Sequence, residues 1–211
     1  MERVICLVIG YVFGLFQTGY LVGKWNHIDI RKEGSGNSGS TNALRVLGVK
    51  AGLMTFAGDV LKCVLALALV RLLFHDSEYL PLLCMYTGSG VTLGHNYPFF
   101  LKFKGGKGIA VLAGLVISTK VWMAPLPLAI FIIVVLITRY VSAGSLLVSL
   151  IFLGEVIYCG ASGGFAMDTR YLYELYVVTF LLMALAWWRH RANIVRLLQG
   201  TENKIGVKKT K

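Results

Sequence analysis

The sequence predicts an all-α, polytopic membrane protein with seven transmembrane helices, and three observations carry that prediction. Hydrophobic residues make up 56% of the 211 positions and charged residues only 15%, where a soluble domain carries about a quarter. Charge-poor runs recur along the whole length, among them residues 4–23, 79–101, 121–138 and 171–188, each close to the ~20 residues that a helix needs to cross hydrocarbon. Finally, runs such as 126–137 are apolar without the two-residue alternation of a membrane β-strand. Backbone facing lipid must be hydrogen-bonded internally, which leaves helices.

The first span is placed at residues 3–24. Its apolar stretch is too long for a cleavable signal peptide, and Tyr20-Leu21-Val22-Gly23-Lys24 lacks a small-residue cleavage site. The second, at 50–73, carries Asp59 and Lys62 one helical turn apart, an ion pair or a wall of a site, since charge inside a span is costly. The third is placed at 79–101. The fourth, at 107–121, has an uncharged run that is short for a span unless Lys107 and Lys120 extend to the two interfaces. The fifth, at 122–139, starts with Pro125 and Pro127, where proline is tolerated. The sixth and seventh are placed at 141–160 and 170–188. No internal repeat or linker is visible, so residues 1–211 read as a single integral-membrane domain. Cys6, Cys63, Cys84 and Cys159 lie in apolar segments without metal-like spacing and read as small core residues.

Charge gives the orientation. With seven spans, one side of the bilayer holds sixteen of the 21 Lys and Arg, from Lys24, Arg31, Lys32 and Arg45 to Lys204, Lys208, Lys209 and Lys211; the other holds Arg3, Arg71, Lys120 and Arg170. Basic loops stay cytoplasmic. The N-terminus is therefore expected to be extracytoplasmic and the C-terminus cytoplasmic. The net charge of +11 would suggest nucleic acid in a soluble protein, but here topology and anionic ligands or lipids account for it.

The unusual polar sequence gathers on the same basic side. It comprises Gly34-Ser35-Gly36-Asn37-Ser38-Gly39-Ser40-Thr41-Asn42 with Arg45, His95 with Lys104-Gly105-Gly106-Lys107-Gly108, then Ser142, and finally His190-Arg191-Ala192-Asn193 with Arg196. Glycines let backbone N–H groups turn toward an anion, and a helix N-terminus adds partial positive charge. Each segment alone reads as a flexible or basic connector. Together, far apart in sequence and on one face, they imply a ligand with phosphate. This is no nucleotide P-loop, because Gly-x-x-x-x-Gly-Lys-Ser/Thr does not occur.

These segments resemble the three motifs of the bacterial acyl-phosphate:glycerol-3-phosphate acyltransferase family. The first runs from Gly34 to Arg45 and the second from Gly94-His95 to Gly108. The third begins His190-Arg191-x-Asn193-Ile194-x-Arg196 and ends Gly200-x-Glu202. Asp59-x-x-Lys62 and Arg139-Tyr140-x-Ser142 are also similar to family sequence. Ser38, Ser40 and Cys63 depart from the proline, alanine and glycine expected there. The resemblance implies a seven-span enzyme of the bacterial cytoplasmic membrane with its site on the cytoplasmic face. It implies an acyl phosphate donor and a glycerol 3-phosphate acceptor, with lysophosphatidic acid and inorganic phosphate as products. Membrane lipids and coupling to the soluble enzyme that makes acyl phosphate are the implied partners, and no nucleic acid, nucleotide, metal or redox cofactor is implied.

On that resemblance the catalytic candidates are Ser35, Asn37, Arg45, His190 and Asn193. The substrate-binding candidates are Gly36, Gly39, Thr41, Asn42, His95, Lys104, Gly105, Gly106, Lys107, Gly108 and Ser142. The first motif and residues 105–108 are expected to cradle the acyl phosphate, with Arg45, Lys104, Ser142, His190 and Asn193 on glycerol 3-phosphate. A His-x-x-x-x-Asp dyad is absent, so the base is either His190 or an oxygen of the acyl phosphate. Two other classes of protein also use phosphate-bearing ligands in membranes. A CDP-alcohol phosphotransferase would want clustered aspartates, whereas Asp29, Asp59, Asp76 and Asp168 are scattered. A phosphometabolite transporter would show inverted repeats and broken helices, neither visible in the sequence.

Overall fold

The computed structural model describes residues 1–206, and among these it contains helices and no strand. Lys208, Lys209 and Lys211 of the basic face lie outside the described residues. The helices are α1 (Glu2–Gly14), α2 (Thr18–Trp25), α3 (Ser40–Leu47), α4 (Val49–Leu73), α5 (Leu80–Asn96), α6 (Ile109–Thr119), α7 (Pro125–Thr138), α8 (Val141–Ala161), α9 (Thr169–Arg189) and α10 (Arg191–Leu198). Five stretches are long and apolar enough to cross a membrane: Glu2–Trp25, Val49–Leu73, Val121–Thr138, Val141–Ala161 and Thr169–Arg189. α5, with 17 residues, and α6, with 11, are shorter and occupy the third and fourth predicted spans. The third span ends early at Pro98, which has no N–H to continue the helix and holds Tyr97 outside the α region.

α5 is the central post, buried on nearly every side from Leu82 to Asn96. Its hydroxyls return to the helix itself: Thr87, Ser89 and Thr92 each donate to the carbonyl four residues back. α1 lies against it through glycines. A methyl group at Gly10 or Gly14 would strike the carbonyls of Thr87 or Val91, and one at Gly90 or Gly94 would strike those of Leu7 or Tyr11. Gly-x-x-x-Gly on both helices thus brings two backbones into contact, the favoured way to pack helices where lipid supplies no hydrophobic drive. The far end is clasped by Arg3, whose guanidinium donates twice to Glu174 at 2.6 and 2.7 Å while Tyr86 donates to the same carboxylate. By contrast, α7 buries only Pro127 and leaves Leu136 and Ile137 more than three-quarters exposed or nearly so; such a surface is compatible with lipid.

The first span departs from the expected continuous helix. It breaks at Leu15–Gln17, between α1 and α2, so a broken helix is present after all. Polar side chains from elsewhere satisfy the freed backbone, as irregular backbone within a membrane requires. The Gln17 amide donates to the carbonyls of Gly14, Gly94 and His95, and Lys62 donates to that of Phe16 at 2.8 Å.

Replacing Gly90 by valine forces α1 away from α5. Overpacking of this kind costs about 1–3 kcal/mol, a fall of roughly 3–10 °C in melting temperature for a chain of this size. Gly154→Ala, where added bulk meets nothing within 4 Å, is expected to melt like the wild type. Thermal unfolding of the two purified variants in detergent checks both.

Candidate active site

Fifteen of the sixteen candidate residues line one cavity of about 710 Å³; Gly106 is the exception. Three walls build its polar end. The first is the segment leading into α3. Gly34 and Gly36 take left-handed backbone conformations (φ +59° and +71°) on either side of Ser35, which exposes the serine. Asn42 shapes this loop from within: its amide oxygen accepts from the Ser35 N–H, and its NH₂ donates to the carbonyls of Ile30 and Glu33. The oxygen of Asn37 likewise accepts from the Gly39 N–H, an Asx-turn that starts α3. Asn42, expected to bind substrate, therefore has its amide engaged by its own loop. Gly36, Gly39, Thr41 and Arg45 lie on the same wall.

The second wall is the segment between α5 and α6. The glycine N–H groups there were expected to face an anion, but two of them do not. The Gly105 and Gly106 N–H groups donate to the carbonyls of Asn96 and His95, at 3.1 and 3.0 Å. Their own carbonyls accept from the Arg189 guanidinium. The loop is thereby pinned on both edges, and the donors left for an anion are the first N–H groups of α6. Gly108 precedes them in a left-handed conformation (φ +83°) against Thr92 and Asn96. Gly106 serves by packing, since a methyl group there would overlap the ring of His95. Arg189 is the residue that sequence reasoning left out, and nothing in its local sequence shows that it reaches across 83 positions.

The third wall is the end of α9 with α10 and the tail. His190 is 3% exposed, and its Nδ1–H donates to the Ala186 carbonyl at 2.8 Å, leaving Nε2 as a proton acceptor. Burial and the neighbouring charge of Lys107 push its pKa down to about 4. Lys107 donates to the Asn193 oxygen, and the Asn193 NH₂ donates to Glu202 at 3.0 Å. Arg196 donates to the other Glu202 oxygen at 2.9 Å. Glu202 thus draws the tail over the cavity, as does the Ile205 N–H donating to the Arg139 carbonyl. Ser142, from α8, is buried, and its hydroxyl has no partner among the described residues.

The charges leave a cationic chamber. Its two carboxylates are neutralised, Asp59 by Lys62 and Glu202 by Arg196. Arg45 and Lys104 are exposed and make no ion pair among the described residues. The other end is apolar, walled by Leu53 and Phe56 of α4, Phe131 and Val135 of α7, and Val141. Leu53 and Phe56 are also exposed at the protein surface, so the cavity runs toward lipid. It suits a ligand with an anionic head and a hydrocarbon tail.

A family model for glycerol-3-phosphate acyltransferases matches residues 4–200. The chain belongs to that family. It is 40% identical over 209 residues to the glycerol-3-phosphate acyltransferase of Thermoanaerobacter pseudethanolicus (99% of this chain, 98% of the relative). It is 42% identical over 214 residues to that of Clostridioides difficile (98% and 97%) and 42% over 200 residues to that of Bacillus subtilis (94% and 95%). Among solved structures it resembles the glycerol 3-phosphate form of PlsY, an integral membrane glycerol 3-phosphate acyltransferase, with a TM-score of 0.82 and 31% identity over 98% of this chain and 96% of that one. The lysophosphatidic acid form gives a TM-score of 0.81 and 30% identity.

His190 makes the stability of this acyltransferase-family chain depend on pH. Its pKa is about 4 in the folded chain against about 6.5 for an ordinary histidine, so between those values the unfolded chain holds a proton that the folded chain refuses. The stabilisation is complete above pH 6.5 and is lost as pH falls toward 4, a swing on the order of 3 kcal/mol. His190→Gln is expected to lose less stability than the wild type between pH 7.5 and 4.5, and parallel melting curves across that range check it.

Proposed function

We propose that this chain transfers a fatty acyl group from an acyl phosphate to the 1-hydroxyl of sn-glycerol 3-phosphate, releasing lysophosphatidic acid and inorganic phosphate for bacterial phospholipid synthesis. The observation that carries this is a single cavity with a multiply cationic polar end continuous with an apolar flank. That combination fits two phosphates and one alkyl chain. The relatives are named glycerol-3-phosphate acyltransferases, and a structural neighbour was solved in glycerol 3-phosphate and lysophosphatidic acid forms.

In this reading Ser35, Gly36, Thr41 and the N-terminus of α6 at Lys107 and Gly108 hold the acyl phosphate, with its tail between α4 and α7. Asn37, Gly39, Asn42, Gly105 and Gly106 set the shape of the two loops, and His95 backs the second. Arg45, Lys104, Ser142, His190 and Asn193 hold glycerol 3-phosphate with its 1-hydroxyl toward the carbonyl. Holding two reactants in this way supplies several kcal/mol of the barrier. The hydroxyl oxygen bonds to the carbonyl carbon, and Ser35 or a backbone N–H stabilises the oxyanion. The bond from that carbon to the phosphate oxygen then breaks. His190 Nε2 accepts the hydroxyl hydrogen bond and aims it, but a group with a pKa near 4 is a weak base. The leaving phosphate gains basicity as its bond breaks, and it takes the proton.

The basic face supports seven spans, with α5 and α6 as the third and fourth, an extracytoplasmic N-terminus and a site at the cytoplasmic side of the cell membrane. A soluble enzyme producing acyl phosphate would deliver the donor there.

The purified protein, given glycerol 3-phosphate and palmitoyl phosphate, is expected to yield lysophosphatidic acid and phosphate in equal amounts. Palmitoyl-CoA, supplied in a parallel reaction, is expected to give none. Ser35→Ala and Lys104→Ala should each lower the rate about 100-fold or more. Folded wild-type protein inactive with every donor would overturn the proposal.

A further inference from the structure

The buried cluster below the second loop has a hydrogen-bonding consequence for the anion site. Lys62 is 4% exposed and Asp59 1%. The Lys62 ammonium has three N–H bonds, and three polar atoms lie 2.8 Å away: the Phe16 carbonyl oxygen, Asp59 Oδ1 and His95 Nδ1. Asp59 is the anionic partner. Its Oδ1 takes the Lys62 and Thr18 donors, and its Oδ2 faces no acceptor among the described residues, so a carboxylic O–H there would have no partner. A charged ammonium has donors and no lone pair. His95 Nδ1 must therefore accept, and in a neutral imidazole the proton then sits on Nε2.

That Nε2 is the free edge of the ring. It has no hydrogen-bond partner among the described residues, and His95 lines the cavity. A side chain at position 106 would cover it, because a methyl group on Gly106 falls directly on Nε2. Glycine at 106 thus keeps the N–H open beside the loop that precedes α6. The two cavity histidines are set in opposite senses: His190 presents a lone pair, and His95 an uncharged N–H.

We propose that Lys62 is a positioning residue that fixes His95 in its Nε2–H tautomer, so that His95 donates a neutral hydrogen bond to the phosphate group held beside residues 105–108. The inference rests on the acyl phosphate reading for the identity of that phosphate. Its cost explains its form. A buried ion pair is seldom worth its desolvation as a stabiliser, and this one joins its third donor to a ring in the wall of the site. A neutral donor also adds polarity without another cation, so phosphate product is not held as a further ammonium would hold it.

The test reads the tautomer directly. The full chain, labelled with [¹⁵N]histidine and held in detergent micelles, contains four histidines, His27, His75, His95 and His190. The His95 signals are those lost in His95→Gln. The expected result is a bare Nδ1 and a protonated Nε2 for His95 at neutral pH, the reverse pattern for His190, and a shift of the His95 Nε2–H signal on adding inorganic phosphate. In Lys62→Met the two His95 nitrogens are expected to average toward a mixture of tautomers. A wild-type His95 protonated at Nδ1, doubly protonated, or unmoved by phosphate overturns the proposal, and needs only the wild-type protein should Lys62→Met not fold. None of these signals requires turnover, so an inactive protein would refute the acyltransferase reading while leaving the tautomer and the phosphate contact to stand or fall separately.

Discussion

The Lys62 ammonium touches three parts of the chain at once. It holds the loose carbonyl where the first span breaks, the carboxylate one turn earlier on α4, and the histidine at the end of α5. Remove it and the Phe16 carbonyl and the His95 ring nitrogen lose their partner while Asp59 keeps only the Thr18 hydroxyl, and a polar group left unpaired in the interior costs more than the net worth of a satisfied hydrogen bond. The break in the first span depends on this contact and on the Gln17 amide. The Gly105 and Gly106 N–H groups hang from the carbonyls of His95 and Asn96, so the second loop takes its position from the same place. α1, α4 and α5 thus meet at one polar knot, and the glycine contacts between α1 and α5 close the gap around it.

Above that knot, charge is distributed by function. Carboxylates that line the cavity are already paired, and the loop carbonyls are occupied by Arg189. What stays open is cationic or a neutral donor: Arg45, Lys104, the Ser142 hydroxyl and the start of α6. A site of this kind repels nothing that carries phosphate, and it can hold two anions close together because no fixed negative charge opposes them. The low dielectric of the surroundings strengthens each contact for the same reason.

Much of this was legible in the sequence because its signals were local. Apolar runs marked the helices, positive residues marked a face, and glycine-rich segments marked the loops that converge on the cavity. Ser35, Arg45, Lys104, Ser142, His190 and Asn193 stand out as polar residues at loop or helix ends. What was hidden depends on partners far away in the chain. No proline or glycine sits between Leu15 and Gln17 to announce the break, whose supports come from Lys62 and from the carbonyls of Gly94 and His95. The roles of Asn42 and Gly106 were hidden as well. An asparagine that follows a glycine-rich loop looks like a ligand donor until its acceptors are seen to be Ile30 and Glu33, and a glycine beside two lysines looks like an anion cradle until the His95 ring is found against it.

The shortness of α6 explains how the proposed phosphate site and acyl chain would share one cavity. Arg71, in the last turn of α4, donates to the Ser118 carbonyl near the end of α6, and Gly114 packs on Val60 and Cys63. Gly114 therefore stands level with residues 60–63 of α4, which sets the register of the two helices. α4 reaches back to Val49 and α6 only to Ile109. At 1.5 Å per residue, Ile109 stands roughly 10–14 Å deeper than the start of α4, near the level of Phe56 and Asp59, which line the same cavity. Irregular backbone at such a depth survives only inside protein, which is why Gly105, Gly106 and Gly108 are buried and why His95, Asn96 and Arg189 satisfy the loop. An anion drawn to the N-terminus of α6 is thereby drawn below the surface. A chain attached to it can lie between α4 and α7 without leaving hydrocarbon, so the short helix brings the head-group site down to the lipid tail and spares the tail a passage through water.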